Sequence, residues 1–209
     1  MKVHTKESQD TMTPDKALQF LIEGNERFLN NLKVNRNLLQ QINDTREGQF
    51  PFATILSCID SRVSAELVFD QGLGDIFSVR IAGNFVNEDI LGSMEFACKL
   101  AGTKLVVVLG HTSCGAIKGA CDHARLGNLT KLIEKIEPAV DAVNHPKEEA
   151  LRTSKNLDFV DAVAVKNVEL TINRIRKESP VLNEMEEDGG IKIVGAMYDI
   201  ATGAVEFYS

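Results

Sequence analysis

The sequence predicts an α/β protein with a mostly parallel central β-sheet flanked by helices, an N-terminal helical extension and a C-terminal strand or hairpin. Short apolar runs of strand length alternate with stretches of helical periodicity, which is the order of βαβ units. The predicted strands are apolar throughout, as parallel strands covered on both faces are. With 209 residues, 44% of them hydrophobic and 25% charged, the chain is long enough for one domain, residues 1–209, with a sizeable core.

The domain starts with a predicted N-terminal helical extension, residues 1–47. Thr13 is a favourable N-cap, and Pro14 suits the first position of a helix. Apolar residues then recur at helical spacing, so residues 14–32 are predicted to form an amphipathic helix. Residues 35–47 are mostly polar and are predicted to form a connection that lies largely outside the core.

The middle of the chain alternates predicted strands with predicted helices. The first strand ends at Cys58, and the clearest buried strand runs directly into Gly110 and His111. Because active residues in parallel sheets gather at the carboxyl ends of strands, both positions are candidates for a functional site. In order, the predicted elements are a strand over 52–57, a short helix over 64–69, a strand over 76–81, a helix over 89–100, a strand over 105–109 and a helix over 116–124.

The C-terminal half is predicted to be mostly helical before the chain returns to the sheet. The last part alternates apolar and polar residues, and Thr202 and Gly203 suit a turn between two strands. The predicted elements are helices over 128–144 and 147–179 with an interruption near 154–156, a solvated acidic loop over 184–188, a strand over 191–197 and a terminal hairpin strand over 204–208.

The charge and the apolar runs exclude several classes of protein. The net charge is -7 and no basic run occurs, which argues against binding to nucleic acid or to an anionic membrane surface. The longest strongly apolar run, residues 105–109, is too short to span a bilayer, and the polar start lacks the apolar core of a secretory signal. We therefore expect a cytoplasmic protein, whose cysteines serve more often as metal ligands or catalytic groups than in disulfides.

Cys58, His111 and Cys114 form a plausible zinc-binding set. Zinc favours thiolate and imidazole ligands in a tetrahedral site. If the two strands that carry these residues are neighbours, the three side chains converge on one ion. Three protein ligands leave the fourth position to water, as in catalytic sites, and zinc lowers the pKa of that water to about 7. The set therefore favours hydration or hydrolysis of a small electrophile.

Asp60 and Arg62 lie close to the first of these ligands in the sequence. A guanidinium group can hold a carboxylate with two hydrogen bonds and keep it ionised. Paired in this way, Asp60 would accept a hydrogen bond from the zinc-bound water. Released from Arg62, Asp60 could instead become a fourth ligand and close the site.

Residues 58–62, Cys-Ile-Asp-Ser-Arg, and residues 111–115, His-Thr-Ser-Cys-Gly, resemble the two signature motifs of the β-class carbonic anhydrases. The similarity is strong over residues 14–124 and continues in outline through the C-terminal half. Two motifs in the right order are far more specific than either alone. The resemblance implies one Zn²⁺ per subunit on the two cysteines and the histidine, a catalytic dyad of Asp60 and Arg62, and reversible hydration of CO2 to bicarbonate and a proton.

The resemblance also implies roles for residues outside the metal set. Gln49 would hydrogen-bond substrate, Phe77 would line the apolar CO2 pocket, and the Gly115 N–H would bind a bicarbonate oxygen. Family members are dimers or larger assemblies, so the resemblance implies a homodimer or homotetramer with its sites near the subunit interface. Arg80 matches the arginine of an inhibitory bicarbonate site in some bacterial relatives, but the chain lacks the tryptophan of that site.

Two other functions fit the same residues. Relatives with the same ligand set hydrolyse sulfur analogues such as CS2 or COS. A closed zinc site, with Asp60 as permanent fourth ligand, would belong to a zinc-stabilised structural or binding protein. A cysteine nucleophile is disfavoured, since no general base is evident beside Cys58. The remaining cysteines and histidines are predicted to pack in the core (Cys98, Cys121) or to lie in solvent (His4, His123, His145).

Overall fold

The computed structural model describes residues 3–208, and Met1, Lys2 and Ser209 lie outside the described residues. The helices are α1 (Lys6–Asp10), α2 (Pro14–Leu29), α3 (Leu38–Thr45), α4 (Ala65–Val68), α5 (Glu88–Glu95), α6 (Gly115–Cys121), α7 (Gly127–Ile133), α8 (Glu137–Ala142), α9 (Leu157–Glu178) and α10 (Pro180–Glu187). A π-helical turn, Phe96–Leu100, continues α5, and a 3₁₀ turn, Glu149–Leu151, precedes α9. The strands are β1 (Ala53–Ser57), β2 (Ile76–Arg80), β3 (Leu105–His111), β4 (Lys192–Tyr198) and β5 (Val205–Tyr208).

The strands form one five-stranded sheet in the order β2-β1-β3-β4-β5. β1 pairs in parallel with β2 and β3, β3 pairs in parallel with β4, and β5 is antiparallel to β4. The predicted fold class, including the terminal hairpin, is confirmed. Ser57 at the end of β1 lies opposite Leu109 of β3, so the residues that follow these two strands emerge at the same edge of the sheet.

The two central strands are buried on both faces because helices cover both sides of the sheet. Ile55 and Val107 pack on one face, in an apolar cluster with Leu21 of α2. Leu56 and Val108 pack on the other face, in a cluster that includes side chains of α9. Burying each such side chain contributes about 1.5–3 kcal/mol. The loops at the carboxyl ends of β1 and β3 therefore start from a rigid base.

The boundaries predicted for the strands agree more closely with the structure than those of the short helices. β3 is two residues longer than predicted, because Gly110 and His111 continue its pairing with β4. The prediction of a connection over residues 35–47 is wrong in part, since α3 forms there with Asn37 as its N-cap. The segment does lie largely outside the core, and Gln41 is the buried residue of α3.

In the C-terminal half, the helices are shorter and more numerous than predicted. α7 and α8 replace the single helix predicted over 128–144, and α9 begins directly after the predicted interruption. The prediction of an acidic loop over 184–188 is wrong, because this run forms the end of α10 and Glu186 pairs with Arg176 of α9. Within residues 3–208, no helix has both the length and the apolar character needed to cross a membrane.

The cysteines and histidines outside the two motifs behave as predicted, with one exception. Cys98 and Cys121 are buried and unpaired, and burial raises the pKa of each thiol to about 11. His123 and His145 are exposed. The prediction that His4 lies in solvent is wrong: it is half-buried, and its ring lies 5.2 and 5.9 Å from two phenylalanine rings.

Asn25 of α2 fastens the N-terminal extension to the rest of the domain. Its side chain is buried, and its Nδ2 donates to the carbonyl oxygens of Val68 at 3.1 Å and Gly203 at 3.0 Å. Its Oδ1 accepts from the Val205 N–H at 2.9 Å. One amide group thus ties α2 both to α4 and to the turn between β4 and β5.

Asp70 forms a second polar anchor for the extension. Its buried carboxylate accepts hydrogen bonds from Arg27 at 2.6 Å, from Arg36 at 2.5 Å and from the Val34 N–H at 3.2 Å. Burial opposes ionisation of this group, but the three donors prevail and hold the pKa of Asp70 below its usual value. The carboxylate therefore stabilises the fold in its charged form.

We expect Asp70→Asn to lower the free energy of unfolding by about 3 kcal/mol near neutral pH, because the variant leaves two guanidinium groups without their shared carboxylate. Asparagine accepts the left-handed backbone of this position, φ +45°, so the change acts through the side chain and not through the backbone. A lowered folded-state pKa gives stability that is present above the unfolded-state pKa of about 3.9 and is lost as the pH falls through the folded-state value. Urea unfolding should show a gap between wild type and variant that narrows below about pH 4; a gap independent of pH would contradict this account.

Candidate metal centre

The carboxyl edge of the sheet brings three potential metal ligands together. Cys58 follows β1, His111 ends β3, and Cys114 immediately precedes α6. Their ligand atoms, two sulfurs and one imidazole nitrogen, lie within 4.8 Å of one another, and all three residues are buried. The predicted convergence of these side chains is confirmed.

A tight turn lets His111 and Cys114 face the same point. Ser113, between them, adopts the left-handed backbone with φ +54°. The turn is tied to β4, because the Thr112 N–H donates to the carbonyl oxygen of Tyr198 at 3.0 Å. Cys114 is the N-cap of α6, where the free N–H groups of the first turn stabilise a thiolate.

His111 presents one nitrogen lone pair to the two sulfurs. Its Nδ1 lies 3.0 Å from the carbonyl oxygen of Thr112, which fixes the proton on Nδ1 as the donor of this bond. Its Nε2 is buried and has no hydrogen-bond partner among the described residues. A buried nitrogen left in this state costs free energy unless another group takes its lone pair. This donor set fits Zn²⁺.

The pair of sulfurs favours a cation beside them. Cys58 Sγ and Cys114 Sγ lie 3.8 Å apart. The two sulfurs share a proton through this contact, which lowers the pKa of Cys58 and raises the pKa of Cys114. The Gly83 N–H also donates to Cys58 Sγ, at 3.4 Å. One sulfur therefore ionises readily, whereas ionisation of both calls for a positive charge such as Zn²⁺.

Asp60 and Arg62 form the bidentate pair that the sequence predicts. The Nε and Nη2 atoms of Arg62 donate to the two carboxylate oxygens of Asp60 at 2.9 and 2.7 Å, and the Arg62 backbone N–H donates at 3.0 Å. The hydrogen bonds from Arg62 hold the pKa of Asp60 well below its usual range, so the carboxylate is ionised. Among the described residues, the metal-ligand cluster comprises the two cysteines and His111, without Asp60.

Arg80 makes a contact at this site that sequence reasoning missed. Its Nε donates to the carbonyl oxygen of Cys58 at 3.0 Å, and its Nη2 donates to that of Asp60 at 2.7 Å. The pairing register explains the reach, because Arg80 lies opposite Ser57 at the end of β1. Arg80 therefore fixes the backbone of the loop that carries Cys58. This role of Arg80 follows from the register between β1 and β2, which no short sequence motif reveals.

The other predicted site residues are not all brought to this cluster. Gly115 directly follows the last potential ligand and is exposed at the start of α6. Phe77 of β2 lies opposite Thr54 of β1, and Thr54 precedes Cys58 by four residues. Gln49 is exposed and precedes β1, whereas Cys58 follows that strand. Within one chain, the structure therefore separates Gln49 and Phe77 from the candidate ligands.

A buried Cys-His-Cys set at the carboxyl edge of a parallel sheet defines the class of zinc-dependent α/β enzymes. Residues 53–205 match the family model described as carbonic anhydrase. Carbonic anhydrase 2 of Mycobacterium tuberculosis is 36% identical over 199 residues, which cover 91% of this chain and 90% of that protein. The carbonic anhydrase of Mycolicibacterium smegmatis is 33% identical over 94% of each chain. The chain belongs to the carbonic anhydrase family.

Solved structures place the chain in the β class of that family. The β-carbonic anhydrase CcaA superposes with a TM-score of 0.69 at 25% identity, over 92% of this chain and 87% of that one. A β-carbonic anhydrase from Coccomyxa superposes equally well, with a TM-score of 0.69, and supports the fold. The protein is a zinc-dependent carbonate dehydratase that interconverts CO2 with bicarbonate and a proton. These likenesses do not favour a sulfur-analogue hydrolase or a purely structural zinc protein.

Proposed function

We propose that Cys58, His111 and Cys114 hold one Zn²⁺ per subunit and that Asp60 and Arg62 act beside it as the catalytic dyad. The observation that carries this proposal is the buried Nε2 of His111, which has no hydrogen-bond partner among the described residues and faces two closely spaced sulfurs. When bound, zinc supplies a Lewis acid that brings the pKa of water to about 7.

Asp60 acts on the attacking water as a fixed hydrogen-bond acceptor. Arg62 occupies both lone pairs of one carboxylate oxygen, through its Nε and its backbone N–H, and one lone pair of the other oxygen, which keeps its second lone pair free to accept a hydrogen bond from water. Arg62 keeps the carboxylate ionised and fixes its plane, which directs the oxygen of the water toward the carbon of CO2. Binding of Asp60 to zinc as a fourth ligand would require the carboxylate to turn away from the Arg62 guanidinium group, so the observed arrangement favours the open site.

Gly115 binds the bicarbonate product through its backbone. As the first residue of α6, it has an N–H without an acceptor inside the helix. A Cβ at this position would have no heavy atom within 4 Å, so the space above the Gly115 backbone is open. A bicarbonate oxygen can therefore approach this N–H next to the ligand Cys114.

We expect Asp60→Asn to slow CO2 hydration by about 100-fold while zinc content stays at one ion per chain, because the variant loses the charged carboxylate that accepts a hydrogen bond from the water and orients it. Stopped-flow hydration assays with metal analysis of the same samples measure both quantities. Asp141→Asn, an exposed carboxylate on α8, is the matched control and should leave both unchanged. A fully active Asp60→Asn variant would remove Asp60 from the mechanism.

We also propose that a homodimer or homotetramer is the functional unit and that the partner supplies Gln49 and Phe77 to each site. The five residues of β1 lie between Gln49 and Cys58, which corresponds to roughly 16 Å of extended chain. β2, which carries Phe77, is an edge strand, and an unpaired edge favours association with a second strand. A solved structure described as one of two tetrameric β-carbonic anhydrases from Sordaria macrospora superposes with a TM-score of 0.68.

Mixing two defective chains tests the contribution of Gln49 from the partner. Gln49→Ala is expected to lower activity about 10-fold through one lost substrate hydrogen bond, and His111→Ala provides a chain without a metal site. If Gln49 acts across the interface, each mixed dimer contains one complete site, so random assortment of equal amounts restores about a quarter of wild-type activity. Activity at or below half that of Gln49→Ala alone would place Gln49 outside the partner's site.

A cytoplasmic location is proposed on the state of the cysteines. All four are buried free thiols, and no pair forms a disulfide. Oxidising compartments favour disulfides, whereas a reducing cytoplasm preserves thiols that bind zinc.

A further inference from the structure

Helix α9 contacts both loops that carry the candidate metal ligands, although it lies outside the two signature motifs. Asp161, near its N-terminal end, accepts a hydrogen bond from the Ser113 N–H at 2.7 Å. Asn167, six residues further along, donates from Nδ2 to the carbonyl oxygen of Gly83 at 2.8 Å. One rigid helix thus binds the backbone of the turn before Cys114 and the backbone of the turn after β2.

The bond to Asp161 acts on a turn that is unfavourable on its own. Ser113 has φ +54°, a left-handed conformation that costs a non-glycine residue roughly 1 kcal/mol or more. This conformation directs His111 and Cys114 to the same point. A hydrogen bond from an N–H to a carboxylate is stronger than one between neutral groups, so Asp161 offsets the cost of the turn.

The hydrogen bond from Asn167 holds the turn at Gly83, whose N–H donates to the sulfur of Cys58. Gly83 has φ +77°, and its N–H points at Cys58 Sγ at 3.4 Å. A Cβ at residue 83 would lie 2.4 Å from Ile136 Cδ1, so the turn is packed closely, and the positive φ also favours glycine. Asn167 is itself 3% exposed, and its amide holds the carbonyl side of the same residue. Movement of this residue would remove a donor from the sulfur of Cys58.

We infer that Asp161 and Asn167 are positioning residues of the metal centre. Through Asp161, α9 fixes the turn between His111 and Cys114. Through Asn167, it holds Gly83 in place so that the Gly83 N–H donates to the sulfur of Cys58. This inference rests on the proposed ligand roles of Cys58, His111 and Cys114. Groups that orient ligands in this way typically change metal affinity by about 10–100-fold when they are lost. A hydrogen bond to a ligand sulfur also changes the electron density that the sulfur gives to the metal.

The test measures zinc affinity of the full-length protein by competition with a chromophoric chelator. Asp161→Ala and Asn167→Asp are each expected to weaken zinc binding about 10-fold or more, the second because two acceptor oxygens then face each other. Asp161→Asn retains an acceptor oxygen and should restore most of the affinity. Loading with Co²⁺ gives a second readout, since the thiolate-to-cobalt absorption band should shift in Asn167→Asp, where the N–H···S bond is disturbed.

Matched controls on the same helix separate positioning from a general loss of stability. Asn173→Asp and Asp158→Ala make the same two substitutions at exposed residues of α9 and should leave zinc affinity and the cobalt band unchanged. Asn167→Leu keeps the side-chain volume without the donor, so a weakened zinc affinity at an unchanged unfolding midpoint would support positioning. Wild-type affinity in Asp161→Ala and Asn167→Leu would overturn the inference while leaving the ligand assignment intact. Retention of zinc by His111→Ala would instead overturn the ligand assignment itself.

Discussion

Replacing His111 with alanine is expected to remove zinc from the protein and to abolish CO2 hydration. His111 contributes one of the three candidate ligand atoms, and its buried Nε2 has no other partner among the described residues. Structural zinc sites with four ligands bind with about 10–16 kcal/mol, so one ligand accounts for roughly 2.5–4 kcal/mol, or about a hundred- to several-hundred-fold in affinity. Without the ion, Asp60 has no activated water on which to act.

Metal analysis and stopped-flow hydration assays of His111→Ala measure the two losses on one sample. His145→Ala is the control, because His145 is exposed and lies outside the ligand cluster. It should retain one zinc per chain and wild-type turnover. A His111→Ala protein that still binds one tight zinc would show that the ion sits elsewhere.

Gly24→Ala is expected to be the most destabilising single methyl addition in the N-terminal extension. A Cβ at residue 24 of α2 would lie 1.9 Å from the carbonyl oxygen and 2.8 Å from the carbonyl carbon of Phe69. These are backbone atoms, so no side-chain rotation relieves the clash and α2 must move. The neighbouring Asn25 would then lose its bonds to α4 and the C-terminal turn. We expect the free energy of unfolding to fall by about 3 kcal/mol, at the upper end of overpacking effects.

Urea unfolding and limited proteolysis test this expectation, the second because a displaced α2 exposes new cleavage sites. Gly92→Ala in α5 is the matched control, since a Cβ there meets no heavy atom within 4 Å. The control should gain up to about 1 kcal/mol from helix propensity. Equal stability of the two variants would show that α2 is not packed as closely as its backbone contact indicates.

The sheet and the ligand set were predictable because their signals are local. A run such as residues 105–109 is apolar at every position, and burial on both faces of a parallel sheet is what such a run requires. Cys58, His111 and Cys114 were recognisable because they stand at strand ends in short motifs. α3 was missed because a helix of eight residues with one buried side chain leaves little periodicity to detect.

The supporting contacts of the metal centre were not predictable for a different reason. Arg80, Asp161 and Asn167 are single polar residues without a pattern around them. Each acts on backbone that is distant in sequence, by 20 residues or more, so its partner is defined only by strand register or by the docking of α9. The roles of Gln49 and Phe77 stay proposals that involve a second chain, and the mixed-dimer experiment addresses that of Gln49.

The hydrogen bonds of Asn25 bear on when α2 can dock during synthesis of the chain. Its partners Gly203 and Val205 are 178 and 180 residues away, at the far end of the chain. At synthesis rates of about 5–20 residues per second, α2 emerges roughly 10–40 seconds before the strand that completes its binding site. During that interval Asn25 lacks two of its three hydrogen-bond partners. Although α2 is made well before β5, it is therefore expected to reach its final position only after β5 has been made.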